Sequence, residues 1–232
     1  MKKLFTLLLA LVATTALWAH DFSVGGNYYN ILTDKTNEVE VTFRGENYNS
    51  YINEYSDYTT IPATVTFSGT TYSVTGIGED AFNNCYDLTR VTIGNNVTSI
   101  GNNAFYGCKS LTSVTIYSNA VVNSNNSIKD IFGEQVTEYI IGSGVTSIGS
   151  YAFSGCSSLT TVTIPNSVSS LRDCAFTGCS SLASLTIPKN VTTIGNGVFF
   201  GCNSLKTVNY TGTKKQWKAI KKAKKITAST NK

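Results

Sequence analysis

Apolar residues recur along the chain with a fixed spacing between residues 77 and 210. The first repeat places apolar side chains at Ile77, Ala81, Phe82, Cys85, Leu88, Val91 and Ile93. The next repeat has apolar residues at the same positions, all shifted by one constant number of residues, so that Phe105 corresponds to Phe82. The same pattern appears three more times, around Phe153, Phe176 and Phe199. A constant period of this length predicts stacked structural units, each too small to bury its own apolar face.

The third repeat in the series is irregular. The six repeats are numbered here in chain order. The third repeat is recognisable by Phe132, Val136, Tyr139, Ile141 and Val145, and it has no cysteine. The interval from Phe105 to Phe132 is longer than the regular period, whereas the interval from Phe132 to Phe153 is shorter. The extra residues fall in the Asn- and Ser-rich segment 119–128, which predicts a loop that bulges from one side of the array.

Within a repeat, the pattern Leu-x-x-Val-x-Ile predicts a short strand, because its apolar and polar positions alternate. The preceding Ile-Gly-x-x-Ala-Phe-x-x-Cys segment is expected to return the chain. Stacking would then place parallel strands about 4.8 Å apart, around an interior of Phe, Leu, Ile and Cys. Glycine follows the first Ile in four repeats, and we interpret it as backbone freedom at a bend. These glycines are Gly78, Gly101, Gly149 and Gly195.

The segments on either side of the array are predicted to close its ends. Residues 20–76 contain alternating runs separated by Gly-containing turns, which predict a β-rich N-terminal cap before repeats at 77–212. Residues 213–232 contain Thr213 and Gln216 at the spacing of a capping box, followed by Trp217 and Ile220 on one side of a helix. This end is predicted to be a basic amphipathic capping helix and tail.

Residues 1–19 have the form of a signal peptide. Two lysines precede an apolar stretch from Leu4 to Val12, and small residues lead to Ala19. The apolar stretch is shorter than a membrane span requires. We therefore expect a secreted or cell-surface protein, with the periplasm left open.

Charge is distributed unevenly along the chain. Charged residues make up 14% of the sequence and the formal net charge is +4, but the segment 21–213 holds 8 basic and 14 acidic residues. The excess of positive charge lies in the C-terminal segment, at Lys214, Lys215, Lys218, Lys221, Lys222, Lys224 and Lys225. These lysines are candidates for contact with a polyanion, lipopolysaccharide or a membrane surface, whereas nucleic acid is a less favoured partner.

The sequence does not favour an enzyme. His20 is the single histidine and lies beside the signal junction, so a histidine-based acid–base pair has no candidate in the repeats. No cysteine or histidine cluster has the spacing of a metal site. We expect neither a cofactor nor a metal.

Five of the six cysteines occupy one position of the repeat. Equivalent positions in neighbouring coils are close enough for disulfides, but their side chains would run parallel, which favours buried thiols. Cys174 lies outside this position and is the best candidate for an exposed thiol.

The motif Ala-Phe-x-x-Cys-x-x-Leu-x-x-Val-x-Ile resembles the 23-residue leucine-rich repeats of the BspA-like bacterial surface proteins, closely over residues 77–210. The resemblance implies a β-rich α/β solenoid, a right-handed leucine-rich-repeat solenoid with a parallel sheet. It also implies a secreted or surface-exposed interaction protein, and family members are associated with adhesion to host matrix proteins and to other bacteria. We expect a monomer.

The outward side of the parallel strands is the candidate surface for a protein partner. The candidate residues are Arg90, Thr92, Thr115, Tyr117, Glu138, Ile140, Thr161, Thr163 and Thr186. Threonine is also simply a good exposed strand residue, so the threonines fit a structural role equally well. A group of tyrosines at positions 48, 51, 55 and 58 is a second candidate, with packing of the cap as the alternative.

Overall fold

The computed structural model describes residues 20–45, 47–49 and 53–223. The predicted signal peptide, Lys224 and Lys225 lie outside the described residues, and side chains of the last helix are described as far as Ile220.

The N-terminal part is β-rich. Its strands are β1 (Phe22–Val24), β2 (Asn27–Ile31), β3 (Glu38–Thr42), β4 (Asp57–Ile61), β5 (Thr64–Phe67) and β6 (Thr70–Ile77). Strands β1, β2 and β3 are antiparallel neighbours, β5 and β6 form a hairpin, and β3 joins β6 in parallel. In the sheet order β1-β2-β3-β6-β5 the β3–β6 pair is parallel and the other neighbouring pairs are antiparallel, and β6 also pairs in parallel with Ser99 and Ile100 of the repeats.

The repeats form two lines of parallel strands. Their strands are β7 (Leu88–Ile93), β8 (Ser99–Ile100), β9 (Ser113–Ile116), β10 (Glu138–Ile141), β11 (Ser147–Ile148), β12 (Thr161–Thr163), β13 (Ser170–Leu171), β14 (Ser184–Ile187), β15 (Thr193–Ile194) and β16 (Thr207–Tyr210). One line has the order β12-β10-β9-β7-β4, with β14 and β16 as a further pair. The other contains β11-β13-β15, while β8 pairs with β6 of the N-terminal sheet. The predicted β-rich solenoid with a parallel sheet is confirmed.

Strand β4 belongs to the parallel sheet of the repeats. It pairs in parallel with β7, with Ile61 beside Ile93. The buried Asn27 side chain ties β4 to the N-terminal sheet, because its amide donates to the Thr60 carbonyl at 2.8 Å and accepts from the Thr59 hydroxyl at 2.9 Å. The sheet surface thus begins before the first Ala-Phe motif.

Aromatic rings form a continuous column through the interior. Phe82 and Phe105 stack with centroids 4.8 Å apart, and Phe153 and Phe176 stack at 4.9 Å. Tyr55 begins the column against Phe82 at 4.4 Å. The column crosses from coil to coil directly, except in the third repeat, where Tyr139 links Phe132 to Phe153, so neighbouring repeats share one core.

The irregular third repeat contains helices where the sequence pattern predicts a loop. Helix α1 (Asn119–Val122) packs beside β8 and β11, and α2 (Ile128–Phe132) follows. The buried Ser118 hydroxyl accepts from the Val121 N–H at 3.1 Å and donates to the Val97 carbonyl at 2.6 Å. The loop prediction is wrong for 119–122 and for Ile128, because Ser118 and Ser127 supply helix N-caps and Val121, Val122 and Ile128 supply buried apolar faces. Residues 123–127, between the two helices, do form a loop.

The glycines after the first Ile of four repeats serve close packing. A Cβ at Gly149 would lie 2.8 Å from the Val122 carbonyl oxygen, and one at Gly101 would collide with the Glu79 backbone. Left-handed backbone occurs elsewhere in the repeat, at the residue before the Ala or Val of each Ala-Phe or Val-Phe motif. These residues are Asp80 (φ 55°), Asn103 (54°), Tyr151 (60°), Cys174 (56°) and Gly197 (59°). The predicted backbone freedom at the first set of glycines is therefore wrong.

Helix α3 (Lys214–Ala223) follows the last strand. The predicted capping box is present, because Thr213 N–H donates to Gln216 Oε1 at 2.8 Å and Gln216 N–H donates to Thr213 Oγ1 at 3.2 Å. Trp217 stacks on Tyr210 with centroids 5.2 Å apart, and Ile220 is buried. These contacts hold the helix against the final coil.

Candidate binding face of the parallel sheet

Two rows of outward side chains cross the five-stranded sheet. The strands alternate buried and accessible residues, which is why the accessible positions of neighbouring strands align. The first row contains Tyr58, Arg90, Ser113, Glu138 and Thr161. The second row contains Thr60, Thr92, Thr115, Ile140 and Thr163. The structure therefore brings seven of the nine predicted face residues together.

The first row carries opposite charges at Arg90 and Glu138. They lie on either side of Ser113, whose hydroxyl donates to Glu138 Oε2 at 2.7 Å. Arg90 is exposed, while Glu138 is half-buried. Because the Ser113 hydrogen bond orients one carboxylate oxygen, the row presents a fixed acceptor beside a cationic side chain.

Ile140 follows Glu138 on the same face. It lies in register with Thr115 on one side and Thr163 on the other, so an apolar side chain interrupts a row of hydroxyl groups. Ile140 therefore gives this polar surface one half-buried apolar position.

Tyr117 and Thr186 lie beyond these rows. Tyr117 follows β9, is 41% exposed, and packs its ring over Gly142, where a side chain would collide with it. Thr186 belongs to the separate β14–β16 pair, opposite Asn209. Thr186 is therefore not joined by strand pairing to the five-stranded sheet.

Tyr58 is a face residue that the sequence analysis placed with the cap. It is 72% exposed and lies directly beside Arg90. Of the four predicted tyrosines, Tyr51 lies outside the described residues. Tyr48 and Tyr58 are exposed, whereas Tyr55 is buried and donates its hydroxyl to the Thr42 carbonyl at 2.8 Å. The alternation in Asp57–Ile61, with outward Tyr58 and Thr60, was the signal that could have identified the strand.

Other chemistry in the described residues is limited. All six cysteines are free thiols, and burial raises the pKa of Cys85 to about 11 and of Cys108 to about 12. Within residues 20–45, 47–49 and 53–223 no group of three or more His, Cys, Asp or Glu residues could hold a metal ion. Among the described helices, none has the length and apolar character needed to cross a membrane.

The second candidate surface is the outer side of α3. Lys214, Lys215 and Lys218 are exposed, while Trp217 and Ile220 contact the body. The helix thus presents positive charge away from the surface that it covers.

Comparisons with known proteins agree with the repeat architecture. The family described as "BspA type Leucine rich repeat region (6 copies)" matches residues 48–131 and 131–223. No curated protein sequence is significantly similar to the chain.

Solved structures show the same pattern of similarity. A leucine rich cell surface protein from Faecalibacterium prausnitzii is 32% identical, over 82% of this chain and 54% of its own, with a TM-score of 0.47. A leucine-rich repeat protein from Bacteroides ovatus is 26% identical over 82% and 53%, with a TM-score of 0.46. The chain thus spans about half the length of these two proteins.

A leucine rich repeat protein from T. pallidum is 23% identical over 81% of each chain, with a TM-score of 0.50, and supports the fold alone. Together with the repeat frame and the stacked phenylalanines, the family match over most of the described residues shows that this chain belongs to the BspA type leucine-rich-repeat family.

Proposed function

We propose that the protein is an exported, non-catalytic surface protein that binds protein partners through the parallel sheet, as an adhesin does. The observation that carries the proposal is the aligned first row, in which Tyr58 and Arg90 stand beside Ser113 and Glu138 on one rigid sheet. Tyrosine and arginine are the residue types that most often dominate protein interfaces. The cell-surface description of the F. prausnitzii relative supports the location.

Binding of purified residues 20–232 to immobilised extracellular matrix proteins and to whole bacteria tests this proposal. Tyr58→Ala and Arg90→Ala are each expected to weaken binding at least tenfold, about 1.4 kcal/mol. Tyr151→Ala and Arg172→Ala are matched controls, because both residues are exposed and lie outside the two rows. Equal binding by all four variants and the parent protein would remove the sheet face from consideration.

Location can be tested separately by protease shaving of intact cells followed by fractionation. Loss of the protein from shaved cells is expected. Full protection against the protease would restrict it to an internal compartment and contradict surface exposure.

A second proposal is that α3 binds anionic surfaces such as lipopolysaccharide. It is supported by the Trp217–Tyr210 stack, which holds the helix while Lys214, Lys215 and Lys218 stay exposed. Binding to anionic vesicles is expected to weaken steeply with salt. Replacement of Lys214, Lys215 and Lys218 with Gln should reduce binding, whereas Lys189→Gln should not. Salt-independent binding would exclude this mode.

A further inference from the structure

The coils are joined on the side of the Ala-Phe motif by backbone hydrogen bonds between alternate residues. In repeat 4, the N–H groups of Tyr151, Phe153 and Gly155 donate to carbonyls of repeat 5. The acceptors are Asp173 at 3.1 Å, Ala175 at 2.8 Å and Thr177 at 2.8 Å. The same three-donor pattern links repeat 1 to repeat 2 through Asp80, Phe82 and Asn84, and links repeat 5 to repeat 6 through Cys174, Phe176 and Gly178.

Repeat 2 has the same donors but lacks the matching acceptors. Among residues 20–45, 47–49 and 53–223, no acceptor pairs with the N–H groups of Asn103, Phe105 or Gly107. The neighbouring residues Ala104 and Tyr106 make the same hydrogen bonds as in the other repeats, because their carbonyls accept from N–H groups of repeat 1 at 2.7 Å each. Three N–H donors at alternate positions are therefore left in an ordered row.

The irregular third repeat explains the open row. Helix α2 turns toward repeat 4, where the Ile128 N–H donates to the Ala152 carbonyl at 2.8 Å. The Ser127 hydroxyl donates to the Ser154 carbonyl, also at 2.8 Å. Repeat 3 thus pairs with the coil that follows it. Toward repeat 2 it supplies the Gln135 side chain, which donates to the Cys108 carbonyl at 2.9 Å, but its described residues supply no acceptor for the N–H groups of Asn103, Phe105 and Gly107.

A groove of about 870 Å³ occupies this space. Its lining includes Asn103, Phe105 and Gly107, so the donor row forms part of its surface. Tyr106, which is 67% exposed, and Ile131 of α2 supply apolar lining. Lys109 also lines the groove and places its ammonium 5.6 Å from the centre of the Tyr86 ring.

We propose that this groove binds a peptide segment of a partner protein in the turn conformation of residues 173–177, with carbonyl groups at alternate positions that accept hydrogen bonds from Asn103, Phe105 and Gly107. The intact coils show the complementary shape, because the ligand of the same donor row is there a main-chain segment that offers three such carbonyls. Side chains of the bound segment contact Tyr106 and Ile131. This is peptide recognition by main-chain pairing, with apolar contacts beside it.

The proposal does not rest on the sheet face. The groove is lined by turns of repeats 1 and 2 and by the third repeat, whereas the proposed adhesin surface is formed by the parallel strands. The two sites can therefore be tested with separate variants.

A synthetic peptide with the sequence of residues 171–179, carrying serine in place of Cys174 and Cys179, is a suitable probe. It contains the three carbonyls that pair with repeat 4 in the folded chain. In the free protein, the amide hydrogens of Phe105 and Gly107 are expected to exchange faster than those of Phe153 and Gly155. Added peptide should slow their exchange and shift their NMR signals, with a dissociation constant on the order of 1 mM.

Two exposed tyrosines provide a matched pair of variants. Tyr106→Ala should weaken peptide binding about fivefold, as expected for loss of one aromatic contact, while Tyr58→Ala should leave it unchanged. Equal slow exchange of Phe105 and Phe153 in the free protein would show that the row is not open. No signal change on adding peptide, an equal effect of both variants, or the same protection from sodium phosphate alone would each overturn the proposal.

Discussion

The Tyr139 ring meets the Phe153 ring edge to face, with centroids 5.2 Å apart and planes inclined at 74°. Tyr139 occupies the strand position that Val114 and Val162 occupy on either side. It also lies 6.4 Å from Phe132, and so bridges the aromatic column across the irregular repeat. The larger ring fills space at the point where the regular spacing of phenylalanines is lost.

The Tyr139 hydroxyl is buried and has no hydrogen-bond partner within the described residues. Because an unsatisfied buried polar group costs about 1 to 3 kcal/mol, Tyr139→Phe is expected to raise the free energy of unfolding by about 1 kcal/mol. Chemical denaturation checks the value. Tyr139→Ala is the comparison and should lower stability by about 3 to 5 kcal/mol through the cavity that it leaves. A destabilised Tyr139→Phe variant would indicate a hydrogen bond to the hydroxyl.

Cys174 has left-handed backbone at a position where other repeats use Asp, Asn, Tyr or Gly. Asn tolerates this conformation better than Cys, so Cys174→Asn is expected to stabilise the protein by about 0.5 to 1 kcal/mol. Asn103→Val, at the equivalent position of repeat 2, should destabilise it by about 1 to 2 kcal/mol. Thermal unfolding of both variants tests this prediction. The change in stability must be positive for Cys174→Asn and negative for Asn103→Val.

Thiol reactivity should follow burial and pKa. Burial raises the pKa of Cys108 and Cys156 to about 12, whereas a side-chain hydrogen bond from Cys179 lowers the pKa of Cys202. At pH 8 the thiolate fraction of Cys108 is then about 1000-fold below that of an ordinary cysteine. Iodoacetamide should label the half-buried Cys202 and Cys174 first, as measured by mass spectrometry of the native protein. Equal labelling of Cys156 and Cys202 would contradict this order.

Glu40 links stability to pH. Burial raises the pKa of its carboxyl, and the hydrogen bond to Asn30 offsets part of this effect. The folded state therefore holds the proton to higher pH than the unfolded state, so this group lowers stability as pH rises above about 4.5. Glu40→Gln should raise the melting temperature at pH 7 and have little effect at pH 4.

Glu38 provides the opposite control for this experiment. The Thr75 hydroxyl donates to its carboxylate at 2.7 Å and lowers its pKa, with Lys35 adding a smaller effect. Its contribution is present above its unfolded pKa and is lost as pH falls, so Glu38→Gln should lower the melting temperature at pH 7. The same response in both variants would show that these two environments do not differ as described.

Much of the repeat architecture was predictable, because the apolar residues that recur along the sequence are the ones that pack in the core. The inward positions of Leu-x-x-Val-x-Ile are buried in the structure, as at Leu88, Val91 and Ile93. Strand alternation then determines that Arg90 and Thr92 point outward, so most of the candidate face followed from the same pattern.

Three features could not be predicted from the repeat frame. Strand β4 has no Ala-Phe motif before it, although it extends the sheet and supplies Tyr58. Helices α1 and α2 depend on burial of Val122 and Ile128 against neighbouring coils. The many Asn and Ser residues of this segment gave no indication of that burial. The open donor row depends on which side of repeat 3 is paired, and this is a property of three-dimensional stacking.

The left-handed glycines Gly155, Gly178 and Gly201 recur with the regular period in repeats 4 to 6. Unequal crossing-over that inserts one whole repeat within this part of the gene would restore every backbone conformation and every inter-coil acceptor. The same event across repeat 3, where the spacing of phenylalanines is first longer and then shorter than the period, would displace the bridge formed by Tyr139. The C-terminal half of the array can therefore take in whole repeats without new kinds of contact, whereas an insertion across repeat 3 would need a new bridge in the aromatic column.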